Sequence, residues 1–242
     1  MSEKQLEYQI LDWDSNFFGF SVARINNPNL AKEKLVNSLS DLSLKGIKLI
    51  YWPASNEYSE NEITDLGGSL VDLKTTFKMD FDGVNPEDFI STDEVEAYSD
   101  SMPFESFEEL AVQSGEYSRF AVDPRIPREK FFELYRIWIA RSLKKEIARE
   151  VLVLRESNRV VGMVTLGEKD GRGDIGLIAV DASSRGKSYG EKLVRSAQRW
   201  FIKNGYTVGQ VVTQGNNIPP CMLYKKCGYS VEKVEYFYHF WR

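Results

Sequence analysis

Arg185-Gly186-Lys187-Ser188-Tyr189-Gly190 is the stretch on which the reading of this chain turns. It follows an apolar run, Ile175-Gly176-Leu177-Ile178-Ala179-Val180. It opens a segment of helical periodicity in which Leu193, Val194, Ala197 and Phe201 share one face. A strand that enters a glycine-bearing turn and leaves as a helix is a ready anion site. The first amides of a helix have no intrahelical partner, and the helix dipole favours negative charge beside them. Gly186 and Gly190 let the backbone approach an anion closely, and Arg185 and Lys187 add positive charge. By itself such a run is most often a solvated helix cap, so its meaning depends on the flanking sequence.

Downstream, Asn204-Gly205 closes the helix and 208–213 reads as a strand. A short helix over 217–226 carries Pro219 and Pro220, which fit only its first turn. Gly228 ends it, and 230–241 is a long terminal strand. Upstream, 150–155 and 160–166 form a hairpin around Glu156-Ser157-Asn158. A helix over 127–147 has Phe131, Leu134, Tyr135, Trp138 and Ile139 as its apolar stripe. A short helix is expected over 107–114 and a loop over 115–124.

The N-terminal part alternates strands (6–12, 21–25, 47–52, 69–81) with helices (30–44, 59–66), and 12–19 reads as a turn bearing three aromatics. The acidic segment 87–101 reads as a linker. The expected organisation is an N-terminal α/β domain over 1–85, an acidic linker over 86–102 and an α/β domain with a mixed sheet over 103–242. An internal echo links the parts. Gly67-Gly68-Ser69-Leu70-Val71-Asp72-Leu73-Lys74-Thr75-Thr76-Phe77 resembles the run from Gly228 to Tyr238, and each follows a strand and a short helix. The first part is therefore expected to be a reduced copy of the second that lacks the 185–190 loop.

The chain of 242 residues has 42% hydrophobic and 28% charged residues, ordinary for a globular protein, and a net charge of −5 that argues against a nucleic-acid partner. No apolar run approaches the roughly 18 residues of a membrane span. The opening residues Met1 to Tyr8 have no signal-peptide form, so a cytoplasmic location is expected. Cys221 and Cys227 share one predicted helical stretch and are expected to be buried free thiols. They are too few for a zinc site, and no metal is expected. His239, the single histidine, reads as structural or surface.

Strand 175–180, the Arg-x-x-Ser-x-Gly run 185–190, Asn217 after the next strand, and Leu223-Tyr224-Lys225-Lys226-Cys227-Gly228-Tyr229 occur in the order found in the GCN5-related N-acetyltransferase (GNAT) superfamily, which residues 103–242 resemble. The family pattern has glycine where this chain has Ser188. The resemblance implies a GNAT fold and acetyl-CoA as cosubstrate. It implies contacts to the pantetheine arm along Ile178, Ala179 and Val180, to the pyrophosphate from Arg185, Gly186, Lys187, Ser188, Tyr189 and Gly190, and a further contact from Asn217. Acetyl transfer needs a neutral amine, hydrogen-bond donors for the oxyanion and a proton for the leaving thiolate. At the family's usual position, Tyr224 is the expected proton donor, and the amide of Ile178 or Ala179 the oxyanion donor. Asp174 and Glu168 are candidate bases, with a water relay as the alternative.

The run Leu11-Asp12-Trp13-Asp14-Ser15-Asn16-Phe17-Phe18-Gly19 and Ser118-Arg119-Phe120 are similar to the branch of the superfamily that acetylates TDP-fucosamine. This resemblance implies a dTDP-linked 4-amino-4,6-dideoxyhexose as acceptor, in surface (lipo)polysaccharide synthesis. Arg119, Arg125 and Arg128 would meet the diphosphate, and Trp13, Phe17 and Phe18 would stack on thymine. Two other readings stay open at this point: a GNAT acting on a protein, polyamine or other small amine, and a non-catalytic acyl-CoA-binding module. The aromatic terminal strand is a candidate pairing edge for a homodimer.

Overall fold

The computed structural model describes residues 7–89 and 94–242. In chain order the elements are β1 (Tyr8–Ile10), α1 (Asp12–Phe18), β2 (Val22–Ile25), α2 (Lys32–Leu44), β3 (Leu49–Ala54), α3 (Glu60–Asp65), β4 (Gly68–Asp80) and β5 (Val95–Ala97). There follow α4 (Phe104–Ser114), α5 (Arg119–Val122), α6 (Arg128–Leu143), β6 (Glu150–Glu156), β7 (Arg159–Lys169) and β8 (Arg172–Val180). The chain ends with α7 (Tyr189–Lys203), β9 (Val208–Gln214), α8 (Ile218–Lys226) and β10 (Ser230–Trp241). Among the described residues no helix is long and apolar enough to cross a membrane.

The chain forms two compact units, one of Met1–Lys74 with Val234–Arg242 and one of Thr75–Lys233. The division falls inside β4 and β10 and differs from the expected boundaries at 85 and 103. Strand pairing, not chain continuity, decides membership: Tyr236 to Trp241 of β10 pair with β3, which holds the C-terminus in the first unit. The expected linker is no linker throughout, since Val95, Glu96 and Ala97 pair with β6 as β5.

In the first unit β1 is antiparallel to β2, and β2 is parallel to β3 across the α2 crossover. Leu35, Leu39 and Leu42 of α2 bury against Ile50, Trp52, Tyr238 and Phe240. The segment 12–19 is a helix rather than the expected turn. Ser15 Oγ donates to Leu11 O at 2.8 Å and accepts from Val22 N at 2.9 Å, and Gly19 ends the helix at φ 78°. This local bonding of a serine is invisible to periodicity over seven residues.

The second unit has strand order β4-β9-β8-β7-β6-β5. Residues 160–166 of β7 are all buried. Such a continuous run marks a strand covered on both faces. One cover is α7, whose Leu193, Val194, Ala197 and Phe201 pack on Val161, Val164, Leu166, Ile175 and Val211. α4 also packs on β7 and β8, with α6 beside it.

The internal echo has a structural counterpart. β1-β2-α2-β3-α3-β4 and β7-β8-α7-β9-α8-β10 share an antiparallel pair, a parallel crossover, a short helix and a long strand. Left-handed Gly67 (φ 72°) and Gly228 (φ 93°) precede the two long strands. Between β2 and α2, residues 26–31 contain no glycine, unlike their counterpart 185–190. β10 has β3 on one side and β4 on the other, so it offers no free edge for the homodimer expected there.

Candidate active site

The parallel pairing of β8 with β9 ends at Ile175–Val211, although both strands continue. On its other side β8 carries an irregularity: Val164 faces Ile178 and Leu166 faces Ile175, so Thr165 opposes two residues. Thr165 Oγ1 accepts from Leu177 N at 2.7 Å, and a Cβ at Gly176 would meet the same oxygen at 2.8 Å. The extra residue in β8 re-aims the strand where it leaves β9.

These bonds set which β8 amides face the gap. Leu177 N points to β7, and Asp181 N donates to Val161 O at 2.8 Å. Alternation along the strand then turns Ile178 and Val180 to the unpaired edge and Ala179 to β7. Of the two expected oxyanion donors, Ile178 has the suitable orientation and Ala179 does not.

A cavity of about 650 Å³ occupies the gap. Gly176 to Val180, Arg185, Gly186, Ser188, Tyr189, Gly190, Val211 to Gln214, Asn217 and Tyr224 line it, all within the second unit. Ser188 caps α7 in the left-handed region, at φ 60° and ψ 14°, without a side-chain cap hydrogen bond, and Gly186 has φ 82°. The first α7 amides therefore lack a capping side chain, the arrangement an anion requires. The left-handed backbone also explains why glycine suits the position of Ser188. A Cβ on Gly190 would meet Leu223 Cδ2 at 3.0 Å, so the loop lies hard against α8.

Arg185 Nε donates to Val180 O at 3.1 Å, which tethers the loop to the end of the open edge. Lys187 does not line the cavity; its ammonium pairs with Glu156 Oε1 at 2.6 Å. Its charge is directed at Glu156 and not at the cavity.

On α8, Pro219 and Pro220 occupy the first turn, where no intrahelical N–H is lost. Tyr224 is 2% exposed and packs on Phe77 with ring centroids 5.6 Å apart. Its hydroxyl makes no hydrogen bond to another protein group among the described residues, and the residue lines the cavity. Burial pushes the phenol well above its ordinary value. Tyr224 thus packs as a core residue and keeps a protonated hydroxyl at neutral pH. Burial pushes the Cys227 thiol up to about 11 and raises Cys221 as well, and both are free and buried.

Other expected residues stand outside the cavity lining. Asp174 accepts from Gln210 Nε2 at 2.9 Å, and Glu168 pairs with Arg149; neither lines the cavity. Glu116 does, with Tyr117, Tyr135 and Trp138 on the α4–α6 wall, and it has no ion-pair partner among the described residues. Sequence periodicity had assigned Tyr135 and Trp138 to packing and had no signal for Glu116. Gly115 hints at the wall, because its Cβ would meet the Tyr135 ring at 2.2 Å. Arg119 lies over Phe120, and Arg128 over Phe131 and Phe132; with Arg125 they are absent from the lining. Trp13, Phe17 and Phe18 belong to the first unit and are also absent from it. Trp13 stacks on Phe17 at 5.1 Å, and Phe18 packs against Phe20. His239 is fully buried and stacks on Tyr51, a structural role.

Residues 107–229, just over half of the chain, match the model of the acetyltransferase (GNAT) family. The chain belongs to the GNAT family. Acetyl-CoA is the cosubstrate of GNAT acetyltransferases, and the splayed strand and uncapped loop of this member fit its pantetheine arm and pyrophosphate. The chain is 26% identical over 133 residues to the spore coat polysaccharide biosynthesis protein SpsD of Bacillus subtilis, covering 55% of this chain and 46% of SpsD. It is 33% identical over 60 residues to a streptothricin acetyltransferase of Escherichia coli, covering 25% of this chain and 34% of that protein. It therefore spans less than half the length of either relative. A GCN5-related N-acetyltransferase structure from Sphaerobacter thermophilus shares the fold at a TM-score of 0.63 and 15% identity, over 96% of this chain and 75% of that one.

Proposed function

We propose that this GNAT member transfers an acetyl group from acetyl-CoA to the amine of a nucleotide-linked amino sugar, a dTDP-4-amino-4,6-dideoxyhexose, in the cytoplasm, for surface polysaccharide. The observation that carries the acetyl-transfer reading is one cavity lined by the unpaired edge of β8, the uncapped α7 loop and Tyr224. Similarity to SpsD, a polysaccharide biosynthesis protein, supports the sugar class.

When bound, acetyl-CoA supplies a thioester whose carbonyl is attacked and whose thiolate departs. The N–H of Ile178, or of Val180 on the same edge, donates to the carbonyl oxygen as charge develops there. Tyr224 delivers its hydroxyl proton to the sulfur as the C–S bond breaks. The acceptor attacks as a free amine and forms the C–N bond. Its surplus proton passes to Glu116, directly or through water. Pyrophosphate is held by the loop amides and Arg185, with Asn217 beside it.

A second reading, a small cationic amine as acceptor, is favoured by one observation. The α4–α6 wall supplies Glu116 and the aromatics Tyr117, Tyr135 and Trp138, and neither Lys nor Arg. A carboxylate and aromatic faces suit an ammonium. Thiol release from acetyl-CoA separates the readings, measured with dTDP-4-amino-4,6-dideoxygalactose, its glucose epimer, spermidine and a lysine peptide. Release with one dTDP-sugar alone supports the proposal. Release only with spermidine or the peptide replaces the acceptor class. Bound acetyl-CoA with no release throughout would favour a binding-only module.

A further inference from the structure

Gln113, in the last turn of α4, makes a set of contacts that the acetyl-transfer chemistry above does not use. Its Nε2 donates to Asp181 Oδ2 at 3.3 Å. Its Oε1 accepts from Ala182 N at 3.1 Å and from Arg185 Nη2 at 3.5 Å. The orientation of the amide is fixed by chemistry: a backbone N–H and a guanidinium can only donate, and an ionised carboxylate can only accept. Asp181 is itself 7% exposed. The Ser183 hydroxyl, first among its partners, holds its carboxyl below the ordinary range, and Arg159 adds a contact at 3.0 Å.

The chain of contacts runs from the end of β8 through the loop to a helix distant in sequence. Arg185 is gripped twice, by Val180 O and by Gln113. A guanidinium has five N–H donors in a rigid fork. Two of them are used here, which aims the others in a fixed direction.

We propose that Gln113 is a positioning residue for acetyl-CoA: through Ala182, Asp181 and Arg185 it holds the 181–185 turn and the guanidinium in the geometry that receives the pyrophosphate. This rests on the acetyl-CoA reading of the cavity. Gln113→Met keeps the length of the side chain and removes both ends of the bridge. It leaves the Ala182 N–H and one oxygen of Asp181 without this partner. Gln113→Glu keeps the acceptor for Ala182 and Arg185 but sets a carboxylate against Asp181. The double variant Q113E/D181N restores a donor facing an acceptor with their roles exchanged.

The test is calorimetric titration of acetyl-CoA into the full chain, with steady-state kinetics alongside. Gln113→Met and Gln113→Glu are each expected to weaken acetyl-CoA about tenfold. The loss should appear in the KM for acetyl-CoA and not in the KM for the acceptor. Q113E/D181N should recover affinity to within about threefold of the parent. Unchanged affinity in both single variants would overturn the proposal while leaving the acetyl-CoA reading intact. Equal weakening in all three, with no recovery in the double variant, would mean that the contacts are packing alone, and would also overturn it. A parent chain that takes up no acetyl-CoA would overturn the reading of the cavity and the role of Gln113 with it.

Discussion

Leu177 donates its amide to the hydroxyl of Thr165 at 2.7 Å, where a strand partner would otherwise supply a carbonyl. Thr165 is 3% exposed, so the bond is shielded from water. It stabilises the point at which β8 turns away from β9 and brings Ile178 to the open edge. Thr165→Val preserves shape and deletes the acceptor. An unsatisfied buried N–H costs about 1–3 kcal/mol. Denaturant unfolding should register that loss, and kcat should fall with it because the Ile178 amide loses its aim. Wild-type stability together with wild-type kcat would remove the bond from both roles.

Tyr224→Phe retains the ring that packs on Phe77 and removes only the proton donor. Turnover is expected to drop about 10²-fold, while the Kd for acetyl-CoA moves less than about twofold. Burial raises the phenol above its ordinary 10.0. The protonated form therefore persists as pH rises past that value, and the parent kcat should show no falling limb from this residue up to about pH 10. Turnover of the variant equal to the parent would leave Tyr224 as a packing residue.

Ser188 holds a left-handed backbone at φ 60°, a conformation that costs an L-residue roughly 1–2 kcal/mol. Ser188→Gly removes that strain but adds unfolded-state entropy of about 0.5–1 kcal/mol. A net stabilisation of up to about 1.5 kcal/mol should appear in thermal or denaturant unfolding, with acetyl-CoA still bound. Gly190→Val acts in the opposite sense, since any Cβ there approaches Leu223 to 3.0 Å. Its acetyl-CoA affinity is expected to fall at least about tenfold in a calorimetric titration. Unaltered affinity would take the loop out of the site.

Cys227 gives the fold a pH dependence of known sign. Burial lifts its thiol from 9.0 to about 11. Between those values the unfolded chain has lost the proton and the folded chain still holds it. Stability therefore falls as pH rises through this window, by roughly 1–3 kcal/mol. Cys227→Ala starts from a lower baseline but should lose less between pH 9 and 10.5. Tyr224 and Tyr229 are raised chiefly by burial, with Cys227 a smaller cause, so most of their contribution is common to both proteins. Parallel pH profiles of the two would show that this thiol does not carry the effect.

Most of the second unit was legible because its signals are local. The apolar run 175–180, the glycine-bearing turn, the helical stripe through Phe201 and the terminal strand each depend on near neighbours in the chain, and each forms at the expected place. Tyr224 and the 185–190 loop were legible as a pattern of order and spacing, and they do line one cavity. Two kinds of feature were not legible. Short helices such as 12–18 are fixed by local bonds, here two made by Ser15 Oγ, rather than by a period. Side chains brought in from a distant element, such as Glu116 and Gln113, carry no spacing to the motifs whose cavity they share.

The sequence by itself determined most elements of the second unit and the family, because backbone preference and apolar periodicity act over a few residues. The tertiary structure decided which amides of β8 face the cavity, that Lys187 turns to Glu156, that Asp174 and Glu168 stand outside, and that the chain divides inside β4 and β10. Each of these depends on a partner brought close by strand register or helix packing. Registers and long-range partners are set by the balance of burial and hydrogen bonding over the whole fold, and no window of the sequence contains that balance.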